Sequence, residues 1–519
     1  MTQAFSTAEA KPATPPDRRV PLRTKLAAGS GEAAINVGVN LPKNFAFPIY
    51  NIALGVSPTL LGIAMLIPRL WDAVIDPVMG NLSDNSRSRF GRRRPYMLVG
   101  AIAAAVCIAL LCIFPRGLNE TAWGSAEFGL LGLVAPRGDW LYAGYLMLTS
   151  IIFYTALTVF AVPYGALTME LTADYEERTR VMSFRTLFTY ISGFLIAWLY
   201  AIAEWDIFKD AAGNKDVVKG SYAVGGLLVV VMLVVMLVPT LLVKEPKRSR
   251  GTKTPDATPT TVDDGVGFWK GLKQTLSQPA FLMIVAAYTV GFLGVIMVIG
   301  LGLYLAIYRV YDGDRGTGSV VQGWAQTLAI VFGIATVFLL NRLSDKFEKK
   351  TLLVACLSCS FVGGLASWFL YDPDLPTWNL IAWVPGEGNW PFHPLSFAHA
   401  LIWPGLAGLL VMSNSMIADV CDLDELQTGH RREGSYWAVF NWIQKSAISI
   451  ALLFSGVILD VIGFDATAAS QTDDAIYKMR LAFMFVVCGG VGLAALIVAF
   501  IPINRQRLTA VHEQLAARA

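Results

Sequence analysis

WDAVIDPVMGNLSDNSRSRFGRRRPYMLVG, residues 71–100, runs from the second half of one apolar stretch, through a short basic loop, into the next. A helix needs about 20 apolar residues to cross ~30 Å of hydrocarbon, and the stretches near 58–82 and 96–115 both reach that length. The loop between them carries Arg87, Arg89, Arg92, Arg93 and Arg94. Two carboxylates, Asp72 and Asp76, lie inside the first stretch. The pattern is two membrane spans, a cytoplasmic turn and a charged group held at membrane depth.

Further spans are expected near 31–54, 139–162, 184–205 and 221–243, then near 280–308, 320–341, 351–370, 396–418, 435–460 and 478–502, twelve in all. The composition agrees: 55% of the 519 residues are hydrophobic and 15% charged, against roughly 25% charged in soluble domains. Mean hydropathy is +0.53. With 41 basic and 38 acidic residues the net charge is +3, too small an excess for a nucleic-acid binder. Six cysteines in so long a chain are no disulfide framework. The CxxC at Cys356 and Cys359 sits in an apolar run without a partner pair.

Residues 1–28 are polar, basic and without an apolar signal core, and read as a cytoplasmic tail. Six-helix bundles over 29–243 and 280–503 follow, joined by a polar cytoplasmic loop at 244–279, with a second tail at 504–519. Cations gather after the second, fourth, eighth and tenth spans (Arg178 and Arg180, then Arg342, Lys346, Lys349 and Lys350, then Arg431 and Arg432), so both termini face the cytoplasm. The halves also match. Leu82-Ser83-Asp84 recurs as Leu343-Ser344-Asp345, each followed by basic residues. Acidic ends follow the fourth span of each half, at Glu170, Asp174, Glu176 and Glu177 and at Asp419, Asp422, Asp424 and Glu425. The long outer loops 116–138 and 371–395 are equivalent too. Two such repeats facing a midplane site is transporter architecture.

Asp72 and Asp76, four apart, share one helix face. Each costs about 2.5–3.5 kcal/mol at membrane depth, and they repel each other; a bound Na⁺ or proton relieves both. Lys43, Arg69, Arg185 and Lys445 are the buried-looking cations. Arg69 shares the aspartates' face, where ion pairing and ligand contact both suit it. Lys445 needs a partner on another helix. A cation at the aspartates leaves these bases in surplus, favouring a substrate with a carboxylate or phosphate, unless Lys445 resets the empty site by pairing with Asp72 or Asp76. The loop residues Asp84, Arg92 and Arg93 are placed to pair with Asp419 or Glu425 of the other repeat as a cytoplasmic gate, the alternative being a solvated, orientation-setting loop. Tyr50, Tyr164, Tyr436, Trp437 and Trp442 suit either a sugar ring or the interfacial belt, and Trp378, Trp383 and Trp390 the belt. His399 is expected to be packed.

The run 71–100 resembles the glycoside–pentoside–hexuronide:cation symporters of the major facilitator superfamily, the melibiose-permease-like family. VPYGALTMELTADYEERTRVMSFR (162–185) and MIADVCDLDELQTGHRREGSYWAVFNWIQK (416–445) fit the same family. The resemblance implies an all-α fold of twelve spans in two six-helix repeats. It matches Asp72 and Asp76 to the family's cation-site carboxylates, Thr158 to its hydroxyl ligand, and Arg69, Arg185 and Lys445 to bases of its cavity. Departures are Ile75 where the family has Asn, Asn36 at the sugar-binding Asp, and Ala161 and Gly165 at a further Asp and Trp. Proton coupling is thus as plausible as Na⁺, and melibiose itself is a poor substrate guess. VPYGALTM also resembles the sodium–lysolipid symporters.

The expectation is an inner-membrane, monomeric secondary transporter without cofactor, working by alternating access. It symports a sugar or glycoside with Na⁺ or a proton; a lysolipid-like or organic-anion substrate is the alternative. Substrate contacts are expected from Asn36, Lys43, Arg69, Tyr164, Arg185, Asn441, Trp442 and Lys445. No HExxH, GxSxG or clustered His argues for an enzyme. A sensor that has lost transport would show no uptake.

Overall fold

The computed structural model describes residues 20–243 and 275–518, apart from 87, 89, 131, 173–174, 211–212, 214, 345, 385–387, 430–432 and 503–504. The first half holds α1 (Leu22–Leu41), α2 (Pro58–Asn85), α3 (Arg94–Cys112), α4 (Arg137–Met169), α5 (Tyr175–Ala203) and α6 (Val217–Leu242). The second holds α7 (Pro279–Leu305), α8 (Arg315–Leu343), α9 (Lys349–Leu370), α10 (Leu395–Thr428), α11 (Glu433–Ile462) and α12 (Asp473–Ala499). Among the described residues, eleven helices, α2–α12, are long and apolar enough to cross a membrane. The first span differs from expectation by beginning at Leu22. It continues beyond α1 through two π-helical turns, Pro42–Ala46 and Ile49–Ala53, because Pro42 and Pro48 cannot donate to the regular ladder. Its counterpart α7 ends in a similar turn, Ala306–Val310.

The internal repeat is written in the packing. Within the first half α1 packs on α5 and α6, α2 on α4, and α3 on α4 and α6. The second half repeats every pair: α7 on α11 and α12, α8 on α10, α9 on α10 and α12. Between halves, α2 packs on α11 and α5 on α8, the same exchange seen from either side. At the α2–α11 seam a Cβ on Gly456 would lie 2.1 Å from the Pro58 carbonyl oxygen, and one on Gly62 2.8 Å from that of Leu453. Small residues let the two backbones touch where no hydrophobic force drives helices together in lipid.

Contacts described between the halves gather toward the outer ends. The Asp460 carboxylate on α11 accepts from the Thr59 amide at 3.0 Å, capping the start of α2, where free N–H groups and the helix dipole favour an anion. The Tyr304 hydroxyl donates to Asn51 Oδ1 at 2.7 Å. Both long outer loops fold into antiparallel hairpins, β1–β2 (Glu127–Leu130, Leu133–Pro136) and β3–β4 (Trp378–Val384, Gly388–Phe392). The second carries Trp390 across to the first half. Its ring lies on Trp198 of α5 at 4.6 Å and 12°, with Trp324 edge-on to Trp198 at 5.3 Å. Trp390 was expected in the interfacial belt; it is a cross-half clasp instead. Trp378 is half exposed beside Phe392, and the Trp383 side chain lies outside the described residues.

The expected tail 504–519 is largely helix α13 (Arg505–Arg518), which packs on α10 and buries Val511. Of the expected central loop, residues 244–274 lie outside the described set. At the inner end the buried Glu177 accepts from the Val20 amide at 3.1 Å, Lys25 at 2.9 Å and Arg180 at 2.6 Å, fixing the entry of α1 against α5. Burial alone would raise its pKa, but these donors outweigh that and hold it at about 2.

Two outcomes follow. Replacing Trp390 with Ala removes a stack of about 0.5–1.5 kcal/mol, so a membrane-impermeant maleimide should label a cysteine at Ser57 roughly two- to tenfold faster; an unchanged rate denies the clasp. Because the Glu177 pKa is depressed on folding, its stabilisation is complete above about pH 4.5 and fades as pH falls toward about 2. Melting temperatures of wild type and Glu177→Gln should therefore differ most above pH ~5, draw together as pH falls through ~3, and converge near ~2.

Candidate functional site

Asp72 and Asp76 occupy successive turns of α2, just before Pro77, whose missing N–H leaves the Ala73 carbonyl without its usual helical donor. Thr158 on α4 sits opposite, its hydroxyl 2.9 Å from Asp72 Oδ1 and 3.2 Å from Asp76 Oδ1. One hydroxyl proton serves only one of them at a time. The two Oδ2 atoms meet the Lys445 ammonium of α11, at 3.1 Å from Asp72 and in closer contact with Asp76. The site is therefore four carboxylate oxygens held between a hydroxyl of the first half and a cation of the second. Asp72 keeps 12% of its side-chain surface, Asp76 and Lys445 34% each, so Asp76 is the carboxylate an incoming ion meets first.

The other expected bases divide sharply. Arg69 donates from Nη2 to the Val39 carbonyl at 2.7 Å, places its guanidinium 4.6 Å from the Tyr154 ring centre, and lies 3.9 Å from Asp72. Arg185 Nε donates to Glu32 at 2.8 Å and Nη1 to Thr168 at 3.0 Å, with its guanidinium 5.2 Å from the Tyr164 ring centre. Glu32 was missed in the sequence, although a carboxylate inside an expected span is a signal of the same kind as Asp72. Arg185 is thereby removed from the expected surplus of charge. Tyr164 is buried and its hydroxyl donates to the Ala28 carbonyl. Asn36 Nδ2 donates to the Thr189 carbonyl at 3.1 Å and Ser192 Oγ at 2.9 Å, tying α1 to α5. Lys43 is half buried in the π-helical turn, with no described ion-pair or hydrogen-bond partner.

Asn441 and Trp442 lie one turn before Lys445 on its side of α11, and both are exposed. Trp437 is exposed and stacks on Phe440, whereas Tyr436 is buried against Phe281 and Tyr50 against Phe114 and Tyr142. His399 is packed, in hydrogen-bond contact with the Tyr371 hydroxyl at 2.7 Å.

The expected gate is built differently. Arg92 and Arg93, at the start of α3, pair with Glu170 at the end of α4, at 3.2 and 2.6 Å. Lys349, opening α9, pairs with Asp419 near the end of α10 at 2.6 Å. The pairs described for Arg92, Arg93 and Asp419 thus brace each half internally, in matched positions, rather than joining the halves. Helices 3 and 4 of each repeat run antiparallel, so a basic start adjoins an acidic end. Each charge sits at the unfavourable end of its own helix dipole, and the pairing offsets that cost. Glu425 lies further along α10, and the Asp84 side chain is outside the described residues.

A family model described as MFS/sugar transport protein matches residues 27–505. An uncharacterised symporter of Synechocystis, sll1374, is 26% identical over 95% of this chain and 96% of its own. The isoprimeverose transporter of Lactiplantibacillus pentosus is 22% identical over 97% and 95%. The sodium-dependent lysophosphatidylcholine symporter 1 of Xenopus tropicalis is 23% identical over 87% and 82%. A solved bacterial homologue of the human lysosomal transporter Spinster shares the fold, with TM-score 0.59, 13% identity, and coverage of 96% of this chain and 97% of that one.

Removing Lys445 strands two carboxylates. Breaking such a pair costs ~3–5 kcal/mol when fully buried, and the partial exposure here reduces that to about 1–3 kcal/mol. Lys445→Gln should lose that much stability, seen as a lower melting temperature, and recover part of it in Lys445→Gln/Asp76→Asn, measured as a double-mutant cycle; additive losses would deny the coupling.

Proposed function

The chain belongs to the MFS/sugar transport protein family, and from this we propose that it symports a sugar or glycoside with a small cation by alternating access, one chain being the transporting unit. The observation that carries the proposal is the Lys445 ammonium held between Asp72 and Asp76 across the two halves. In this arrangement lysine stands in for the coupling ion. A Na⁺ or proton arriving at Asp76 competes with the ammonium, and Thr158 offers its hydroxyl oxygen to the entering ion. Once Lys445 is displaced, an ion pair joining the halves is lost, and the outer contacts at Asp460, Tyr304 and Trp390 still oppose outward opening. Ion and conformation are then linked in the thermodynamic sense: whichever state binds the ion better is populated by it.

The transporting unit makes and breaks no covalent bonds, and its residues are disposed for ion exchange. The accessible Asn441 and Trp442, one turn from Lys445, supply a hydrogen-bonding amide and an indole face of the kind that stacks on sugar rings. The named activities of the relatives support a glycoside substrate, and the lysophosphatidylcholine symporter among them supports a lysolipid as the second reading.

The test is accumulation in proteoliposomes across a glycoside and lysolipid panel, with Na⁺ and proton gradients imposed separately. One gradient should drive accumulation of unaltered substrate, and Asp72→Asn/Asp76→Asn should reduce it to equilibration or below. Full gradient-driven accumulation by that double variant would remove the ion site from this position.

A further inference from the structure

We propose that the transported substrate carries an oxyanion (carboxylate, sulfonate or phosphate) and that Lys43, backed by Arg69, receives it. The inference rests on the transport reading above and names the substrate class of that same site.

The argument is one of charge at membrane depth. Among the described residues named above, four cations, Lys43, Arg69, Arg185 and Lys445, face three carboxylates, Glu32, Asp72 and Asp76. Arg185 is matched by Glu32. Lys445 takes both aspartates in close contact, leaving Arg69 a distant 3.9 Å share of Asp72. Arg69 is held instead by the Val39 carbonyl and the Tyr154 ring. Val39 lies four residues before Lys43, so the guanidinium is anchored on α1 about one turn from Lys43. The guanidinium so placed is a like charge, and no ion pair is described for Lys43.

Lys43 and its neighbour Asn44 ride on the π-helical turn Pro42–Ala46. Both are half buried, and neither side chain has a described hydrogen bond. Such turns concentrate at functional positions. An unpaired ammonium at this depth is expensive, so it is retained where something supplies its counter-charge. When a coupling cation takes the aspartates, the imbalance grows by one unit as Lys445 is released. A neutral glycoside leaves that excess standing. A substrate oxyanion cancels it, and sits beside the ion site because Arg69 touches both Val39 and the Asp72 turn.

The test uses the full-length protein, reconstituted, with two probe pairs whose members differ by one oxyanion group. These are 4-nitrophenyl glucuronide against 4-nitrophenyl glucoside, and lysophosphatidate against monoacylglycerol. Binding is read by tryptophan fluorescence, in wild type, Lys43→Gln and Lys43→Arg. The acidic member of one pair should bind at least about tenfold tighter, the ratio falling toward one in Lys43→Gln and persisting in Lys43→Arg. The ratio is used because loss of folded protein leaves it unchanged. Preference within the first pair assigns the oxyanion to a sugar acid, within the second to a lipid; either supports the proposal. A ratio near one or below it in wild type for both pairs, or a ratio that Lys43→Gln leaves intact, overturns it. Charge-selective binding without accumulation under either gradient would defeat the transport reading while leaving the oxyanion-binding site at Lys43 standing. Accumulation of the glucoside without charge preference would do the reverse.

Discussion

A lysine from one half of this molecule lies between two aspartates from the other, in a place where water is scarce. Each of the three charges alone is costly there, and together they are tolerable because two carboxylates share one ammonium and one hydroxyl. The remaining architecture follows from keeping them together. α2 must deliver Asp72 and Asp76 on one stripe, α4 must bring Thr158 to them, and α11 must lie flush against α2, which Gly62 and Gly456 permit.

The four cations and three carboxylates named at this depth are one short in negative charge, and the Lys445 contact crosses the line between the repeats; both properties matter. Crossing the line makes the pair a conformational latch, since anything that neutralises the aspartates also cuts a tie between the halves. The outer clasps are of a different chemical kind: a carboxylate on a helix start, a tyrosine–asparagine hydrogen bond and stacked indoles. These do not compete for a cation. In the proposed symport, ion occupancy acts on the central tie and leaves the outer ones as a fixed opposing load. The inner ion pairs described, Arg92 and Arg93 with Glu170 and Lys349 with Asp419, brace each repeat internally.

Repetition explains why so few inventions suffice. The same helix pairs, the same π-helical ending of the first helix, the same basic-to-acidic brace and the same outer hairpin occur in each half. Chemistry breaks the symmetry: aspartates in the first half, lysine in the second. The proposed cation site between pseudo-equivalent bundles needs that difference, because identical halves would place like charges against each other.

The all-helical fold, the order of its helices and the eleven apolar spans found among the described residues were legible in the sequence. Hydrophobic length and charge placement act locally, and lipid leaves the backbone little choice but helix. Asp72 and Asp76 were legible for the same reason, since two acids four apart in an apolar run already share a face. What tertiary structure decided was partnership. Whether Lys445 met those acids, that Glu32 took Arg185, that Arg92 and Arg93 closed on Glu170, and that Trp390 reached Trp198 depend on which helices become neighbours. Those residues are up to hundreds of positions apart, and an ion pair or a ring stack has no signature in the spacing of a single helix. The sequence by itself determined which charges had to enter the membrane; the packing of two bundles determined which of them found partners, and among the described residues around the aspartates Lys43 has no described counter-charge.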